Sequence, residues 1–208
     1  MKYTEPLQSD QFYHIYNHAI GNENLFRNAD NYQYFLKRYA DFISPIASTY
    51  AYCLLPNHFH FLIRIKSEIE LLEYYKLKYA EAEKKPEFMV AYFAMQQFSN
   101  FFNAYAKAFN KSYKRKGALF LDYMKRKSVT DEKYLSNLLH YIHYNPVHHG
   151  ICKKIGDWDY TSFHAHISNK PTRLNRDEVL NWFGGKEKMV GIHAAKPVGV
   201  SIEELEFY

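Results

Sequence analysis

The segment Pro56-Asn57-His58-Phe59-His60-Phe61-Leu62-Ile63-Arg64-Ile65 places two histidines one residue apart in an alternating pattern. Successive strand side chains point to opposite faces. His58, His60, Leu62 and Arg64 therefore share one face, and Phe59, Phe61, Ile63 and Ile65 share the other. The apolar set can pack beneath a sheet, which leaves two imidazoles side by side above it. Imidazole is the commonest protein metal ligand, and two of them on a rigid strand begin a metal site that keeps positions open for substrate. The competing reading is a pair of surface histidines, or one satisfied in a hydrogen-bond network.

A second pattern is Tyr141-Ile142-His143-Tyr144-Asn145-Pro146-Val147 at the end of an expected helix. Tyr141 and Asn145 are four apart and lie on one helix face. A tyrosine can act as a nucleophile, and an amide oxygen can ligate a hard cation. If this face meets the histidine face, a divalent ion would polarise a phosphodiester while a phenolate attacks phosphorus. Tyr144 is a rival nucleophile, because three-residue spacing also shares a face. His143 points elsewhere and reads as structural. His148 and His149 read as surface residues or contacts to a phosphate backbone, and His164-Ala165-His166 lacks the apolar alternation and receives no role.

The elements that must position these groups follow from periodicity. Gln11 to Asn17 reads as a strand, with Asn17 and His18 at its end either bordering the site or making strand-end hydrogen bonds. Asn28 to Phe42 reads as a helix with Tyr32, Phe35, Leu36 and Tyr39 inward. Ala47 to Leu55 is a second strand, turned at Pro56-Asn57 into the histidine strand, His58 to Lys66. Ser67 to Pro86 is charged, helical or loop. Glu87 to Lys111 is a long helix with Met95, Phe98, Phe102, Tyr105 and Phe109 as a core stripe. Gly117 to Lys127 is expected to be extended, a fourth strand. The next helix runs to about Tyr144, since Pro146 disfavours helical geometry at Asn145. A last helix near Asp177 to Phe183 stops at Gly184-Gly185. The order predicts an α+β fold: a ferredoxin-like antiparallel sheet with helices on one face and the histidines on a central strand. Residues 1–170 form the domain, and 171–208 a small C-terminal appendage.

Composition narrows the class. The 208 residues, 47% hydrophobic, carry 20 Tyr and 16 Phe, and aromatic-rich sheets offer platforms on which nucleobases stack. The net charge of +5 is concentrated between Lys107 and Lys127, where Asp122 is the only acid; such a block can bind phosphate backbones. Cys53 and Cys152 fit neither a zinc spacing nor a disulfide framework, which suits a reducing cytoplasm. No leader peptide and no membrane span are expected.

In combination, Leu55-Pro56-Asn57-His58-Phe59-His60, Gly117-Ala118-Leu119-Phe120 with its basic sequel, Tyr141 to Val147 with Gly150, Asp157-Trp158 and Ser162 resemble the single-tyrosine HUH transposases of bacterial insertion sequences, especially the REP-associated tyrosine transposases. The resemblance spans roughly residues 10 to 165, with a looser match from Val179 to Gly185. It implies that His58 and His60 hold Mg²⁺ or Mn²⁺. Tyr141 then attacks the scissile phosphate of single-stranded DNA, giving a 5′-phosphotyrosine link and a free 3′-OH. A second strand resolves the link. Asn145 stands where the wider family has a polar third ligand, often Gln. Lys114, Arg115, Lys116, Lys125, Arg126 and Lys127 are the candidates to grip a DNA hairpin. A homodimer is one of the assemblies that the resemblance allows.

Three rivals remain at this level. A replication initiator or relaxase would have a longer chain and another motif order. A domesticated, non-catalytic nucleic-acid-binding protein would keep the fold and the basic block without needing all of His58, His60, Tyr141 and Asn145. A metallohydrolase without covalent catalysis would need a carboxylate, and Glu68 and Glu70 are the nearest in sequence.

Overall fold

The computed structural model describes residues 5–79, 89–121 and 123–198. Four strands, β1 (Phe12–His18), β2 (Ala47–Leu54), β3 (His58–Ile65) and β4 (Lys125–Val129), form one sheet in the order β2-β3-β1-β4. Every pairing is antiparallel. This is the ferredoxin-like order, and β3, with both histidines, is internal.

Two long connections cross one face. The first is α1 (Ala29–Phe42); the second comprises α2 (Glu68–Lys78) and α3 (Val90–Ser112). Asn28 caps α1 by accepting from the Asn31 amide, an interaction worth about 1 kcal/mol. Ser67 and Glu70 form a reciprocal capping box on α2. The start expected for α3 at Glu87 lies outside the described residues. The inward faces of α1 and α3 meet Tyr13, Ile15, Phe59, Phe61, Ile63 and Ile65 in an aromatic core. Phe98, Tyr105 and Phe109 of the expected α3 stripe are buried there, and Met95 and Phe102 pack at its margin.

Helices are expected on one face alone, but the opposite face is covered too, because Ala51, Cys53 and Leu62 give it an apolar surface of its own. There α4 (Glu132–His148) lies across β2 and β3, joined by α5 (Phe163–Ile167), α6 (Arg176–Phe183) and α7 (Lys186–His193). Leu62, Ala51, Cys53, Leu138, Leu139 and Ile142 make a second core, into which Val179, Phe183 and Met189 also fit. The described part of the segment after residue 170 thus packs on α4 and β2 through a few side chains, Val179, Phe183 and Met189 among them, while most of its residues stay exposed. A register shift between Thr49 and Ala51 lets β2 serve both cores: Thr49 meets the Tyr39 hydroxyl of α1, while Tyr50 and Ala51 lie in the second core. The free edge of β2 is closed by the 158–162 segment, where Trp158 Nε1 donates to the Leu54 carbonyl and Ser162 Oγ accepts from the Tyr52 amide.

Two boundaries differ from expectation. The extended segment read from Gly117 to Lys127 becomes a strand only at Lys125. Before that the chain is a loop pinned to the end of β1, with Ile20 and Leu121 amides donating to Leu119 and His18 carbonyls. Second, α4 does not stop near Tyr144 but continues through Pro146 to His148. Pro146 forfeits one amide donor. Beyond it the carbonyls of Asn145 and Pro146 accept from His149 and Ile151, and Gly150 ends the turn at φ +68°. Among the described residues, no helix is long and apolar enough to cross a membrane.

Candidate active site

Strand alternation and the antiparallel registers lay out the site. On the α4 side of the sheet, His18 pairs with His58, Tyr16 with His60, and His14 with Leu62. On the far side of β1, Lys125 stands opposite Tyr16 and Lys127 opposite His14. From above, α4 lowers Tyr141 and Asn145, both fully buried, onto this surface. The two faces expected to meet do meet.

His58 carries the closest contact. Its Nδ1 lies 2.8 Å from Asn57 Oδ1, and its Nε2 lies 3.2 Å from Asn145 Oδ1. Both ring nitrogens therefore face amide oxygens, yet a neutral imidazole has one N–H. If the shorter contact takes the proton, the Nε2 lone pair faces the Asn145 oxygen, acceptor against acceptor. That is the arrangement of two cation ligands. Adjacent ligands of an octahedral ion at about 2.1 Å stand about 3 Å apart.

His60 is nearly sealed, and its Nδ1 lies 2.9 Å from His14 Nε2. Its other nitrogen, Nε2, is buried and has no protein partner, and the same holds for Asn145 Nδ2. Burial, followed by the neighbouring His14, His58 and His149, holds His60 well below the usual histidine pKa. Burial, followed by Lys127, pushes His14 down to about 3. Both rings are neutral at pH 7, so their lone pairs are available. Cys53, opposite His60 in register, is a poor competitor, because burial raises its thiol pKa well above the usual value.

These donors fit a hard divalent cation only as two imidazoles and one amide. Among the described residues, no group of three or more His, Cys, Asp or Glu side chains is arranged to hold a metal. The acids that a metallohydrolase would need, Glu68 and Glu70, sit in the first turn of α2, beyond the other end of β3.

Tyr141 stands edge-on to His60, with ring centroids 6.1 Å apart. It is fully buried, whereas Tyr144 is half-buried at the margin of the second core. Tyr141 is thus beside the histidines and closed off from solvent.

The basic candidates divide. Lys114 and Lys116 are exposed, and Lys125 and Lys127 rise half-buried from the site face. Arg115 is tied to Glu23, Asn110 and the Ala118 carbonyl. Arg126 is buried on the opposite face and donates to the Glu5 carbonyl. These two arginines are structural braces, because alternation turns Arg126 away from Lys125 and Lys127.

Several neighbours of the site are not marked by the sequence motifs. His14, Tyr16 and His18 occupy every second position of β1, the same alternation that marks β3; of the three, the sequence offers only His18, at the strand's end, as a candidate to border the site. His18 stacks on His58 at 5.6 Å, and His149 packs edge-on against it at 4.8 Å rather than standing as a simple surface residue. His143 is structural as expected. Its nitrogens meet His193 Nε2 at 3.0 Å and Ser162 Oγ at 2.7 Å. His166, given no role, is buried and bonds the Tyr50 carbonyl.

No family model matches the chain. It is 30% identical over 121 residues to a Haemophilus influenzae protein assigned as a REP-associated tyrosine transposase, a match covering 57% of this chain and 60% of that protein's length. Its fold matches a solved REP-associated tyrosine transposase bound to a REP hairpin, with a TM-score of 0.57 over 82% of this chain and 88% of that one, at 16% identity. By sequence and by fold, the chain is similar to the REP-associated tyrosine transposases.

Proposed function

We propose that this chain is a DNA transposase that cuts and rejoins single-stranded DNA beside a hairpin, through a covalent tyrosine link. The observation that carries the reading is the meeting of Tyr141 and Asn145 of α4 with His60 and His58 of β3, at 6.1 Å between the Tyr141 and His60 rings and 3.2 Å between His58 Nε2 and Asn145 Oδ1. Hairpin DNA as the partner comes from the structural neighbour, which is bound to one.

His58, His60 and Asn145 are the residues that would hold Mg²⁺ or Mn²⁺. When bound, the ion supplies Lewis-acid polarisation of the scissile phosphate. Tyr141 Oη attacks phosphorus as its proton leaves. The phosphorus–O3′ bond breaks, and the departing O3′ takes up a proton. The result is a 5′-phosphotyrosine and a free 3′-OH. Attack by another 3′-OH on this link restores the phosphodiester and the tyrosine, so no external energy source is consumed. Lys114, Lys116, Lys125 and Lys127 hold the phosphate backbone.

The test is incubation of the protein with labelled single-stranded hairpin DNA from the flanks of its own gene, plus Mn²⁺, on a denaturing gel. The expected result is a protein–DNA adduct that is absent in Tyr141→Phe. The burial of Tyr141 favours a second reading, a non-catalytic hairpin-binding protein on the same fold. Binding without adduct, across metals and hairpins, would select it.

A further inference from the structure

We infer that His14 is a positioning residue that accepts from His60 Nδ1–H and so lets His60 Nε2 serve as a metal ligand. The inference rests on the proposed cation at His58, His60 and Asn145. His14 is fully buried, its ring nearly parallel to those of Tyr16 and His60 at centroid separations of 4.8 and 5.1 Å, and its Nε2 meets His60 Nδ1 edge to edge at 2.9 Å.

Two neutral imidazoles joined nitrogen to nitrogen share one proton between them, so their tautomers are locked together. If His60 Nδ1–H donates to His14 Nε2, His60 Nε2 presents a lone pair to the site. If His14 Nε2–H donates instead, His60 Nε2 carries the proton and cannot ligate. Neither arrangement wins on hydrogen bonding alone, because His14 Nδ1 and His60 Nε2 both lack protein partners. Each arrangement leaves one buried donor and one buried acceptor unpaired. A cation on His60 Nε2 removes the unpaired acceptor and thereby favours the first arrangement. An acceptor at position 14 is what permits it, in the manner of outer-shell partners that fix histidine ligands.

The test is Mn²⁺ titration by calorimetry on the full chain without DNA. His14→Leu, which offers no acceptor, is expected to weaken Mn²⁺ binding roughly 10- to 100-fold. His14→Gln, whose amide oxygen can accept from His60 Nδ1–H, is expected to recover most of that affinity. Equal binding by wild type and His14→Leu, with binding abolished in His60→Ala, would overturn the role of His14 alone. Mn²⁺ binding that survives His60→Ala would overturn the metal site and this inference together. A readout independent of variant folding is the imidazole ¹⁵N spectrum of the Mg²⁺-loaded wild type. A protonated Nδ1 on His60 and a bare Nε2 on His14 are expected, and the reverse pattern would refute the inference.

Discussion

Tyr141 and His60 face each other edge to face across the α4–β3 interface, ring centroids 6.1 Å apart, with the tyrosine fully buried. The contact puts the candidate nucleophile one ring away from a candidate ligand. Tyr141→Phe keeps that ring packing and removes only the hydroxyl. It is expected to abolish covalent adducts, a loss on the order of 10⁴-fold or more as for other nucleophile deletions, while hairpin binding persists. Tyr144→Phe is expected to leave adducts intact. Adducts in Tyr141→Phe that vanish in the double variant would transfer the role to Tyr144.

The His58–Asn145 contact makes a separate forecast about metal. Asn145→Ala removes an oxygen ligand and should weaken Mn²⁺ binding by more than the roughly 10- to 100-fold that loss of an outer-shell partner costs. Asn145→Asp places a carboxylate, the better ligand for a hard cation. Without metal it buries a charge and should lower the melting temperature. With saturating Mn²⁺ it should gain more than wild type does. A melting temperature of Asn145→Asp that ignores Mn²⁺ would count against Asn145 as a ligand.

Much of this site is legible in the sequence because strand and helix periodicity act locally. Alternation fixes which face His58 and His60 share, and the four-residue spacing fixes that Tyr141 and Asn145 point together. What periodicity does not supply is register between strands. His14 is 46 residues from His60 in sequence, and only the β1–β3 pairing makes them partners. The same limit explains Arg126. In a run of three basic residues, charge suggests one patch, but β4 alternation sends the middle one to the other face. The expectation that α4 ends near Tyr144 fails for a different reason. The preference against helix before proline is small beside the burial of Asn145 and the hydrogen bonds of the following turn.

That division of the basic run predicts opposite phenotypes for neighbours. Neutralising Lys125 and Lys127 to Gln should flatten the slope of log K against log salt by roughly 0.7 for each phosphate that is no longer neutralised on single-stranded DNA. Arg126→Gln should leave the slope unchanged and lower the melting temperature, because it abandons the Glu5 carbonyl. Fluorescence anisotropy across a salt series, paired with thermal melts, separates the two. A slope altered by Arg126→Gln but not by the lysine pair would invert the assignment.

The buried histidines on either side of α4 impose a pH limit on stability. Burial, chiefly, lowers His14 and His193 to about 3 and His140 and His166 to about 4. In the unfolded chain each titrates near 6.5. Between these limits the unfolded chain takes up protons that the folded chain refuses, so stability is fully present above about pH 6.5 and drains as pH falls. Well below 6.5 each such histidine costs about 1.4 kcal/mol per pH unit. Four together would exhaust a typical domain's 5–15 kcal/mol within roughly one to three units. The melting temperature should be level from pH 8.5 to 7.5 and fall steeply below 6.5. His140→Phe should make the fall shallower by one proton's worth, keeping the ring packing against His193 at 4.4 Å while giving up a hydrogen bond to the Ala195 backbone. Unfolding followed by urea at pH 7.5, 6.5, 5.5 and 5.0 measures the slope directly. A stability that holds level down to pH 5 would mean that these histidines protonate in place and that the second core opens to water around them.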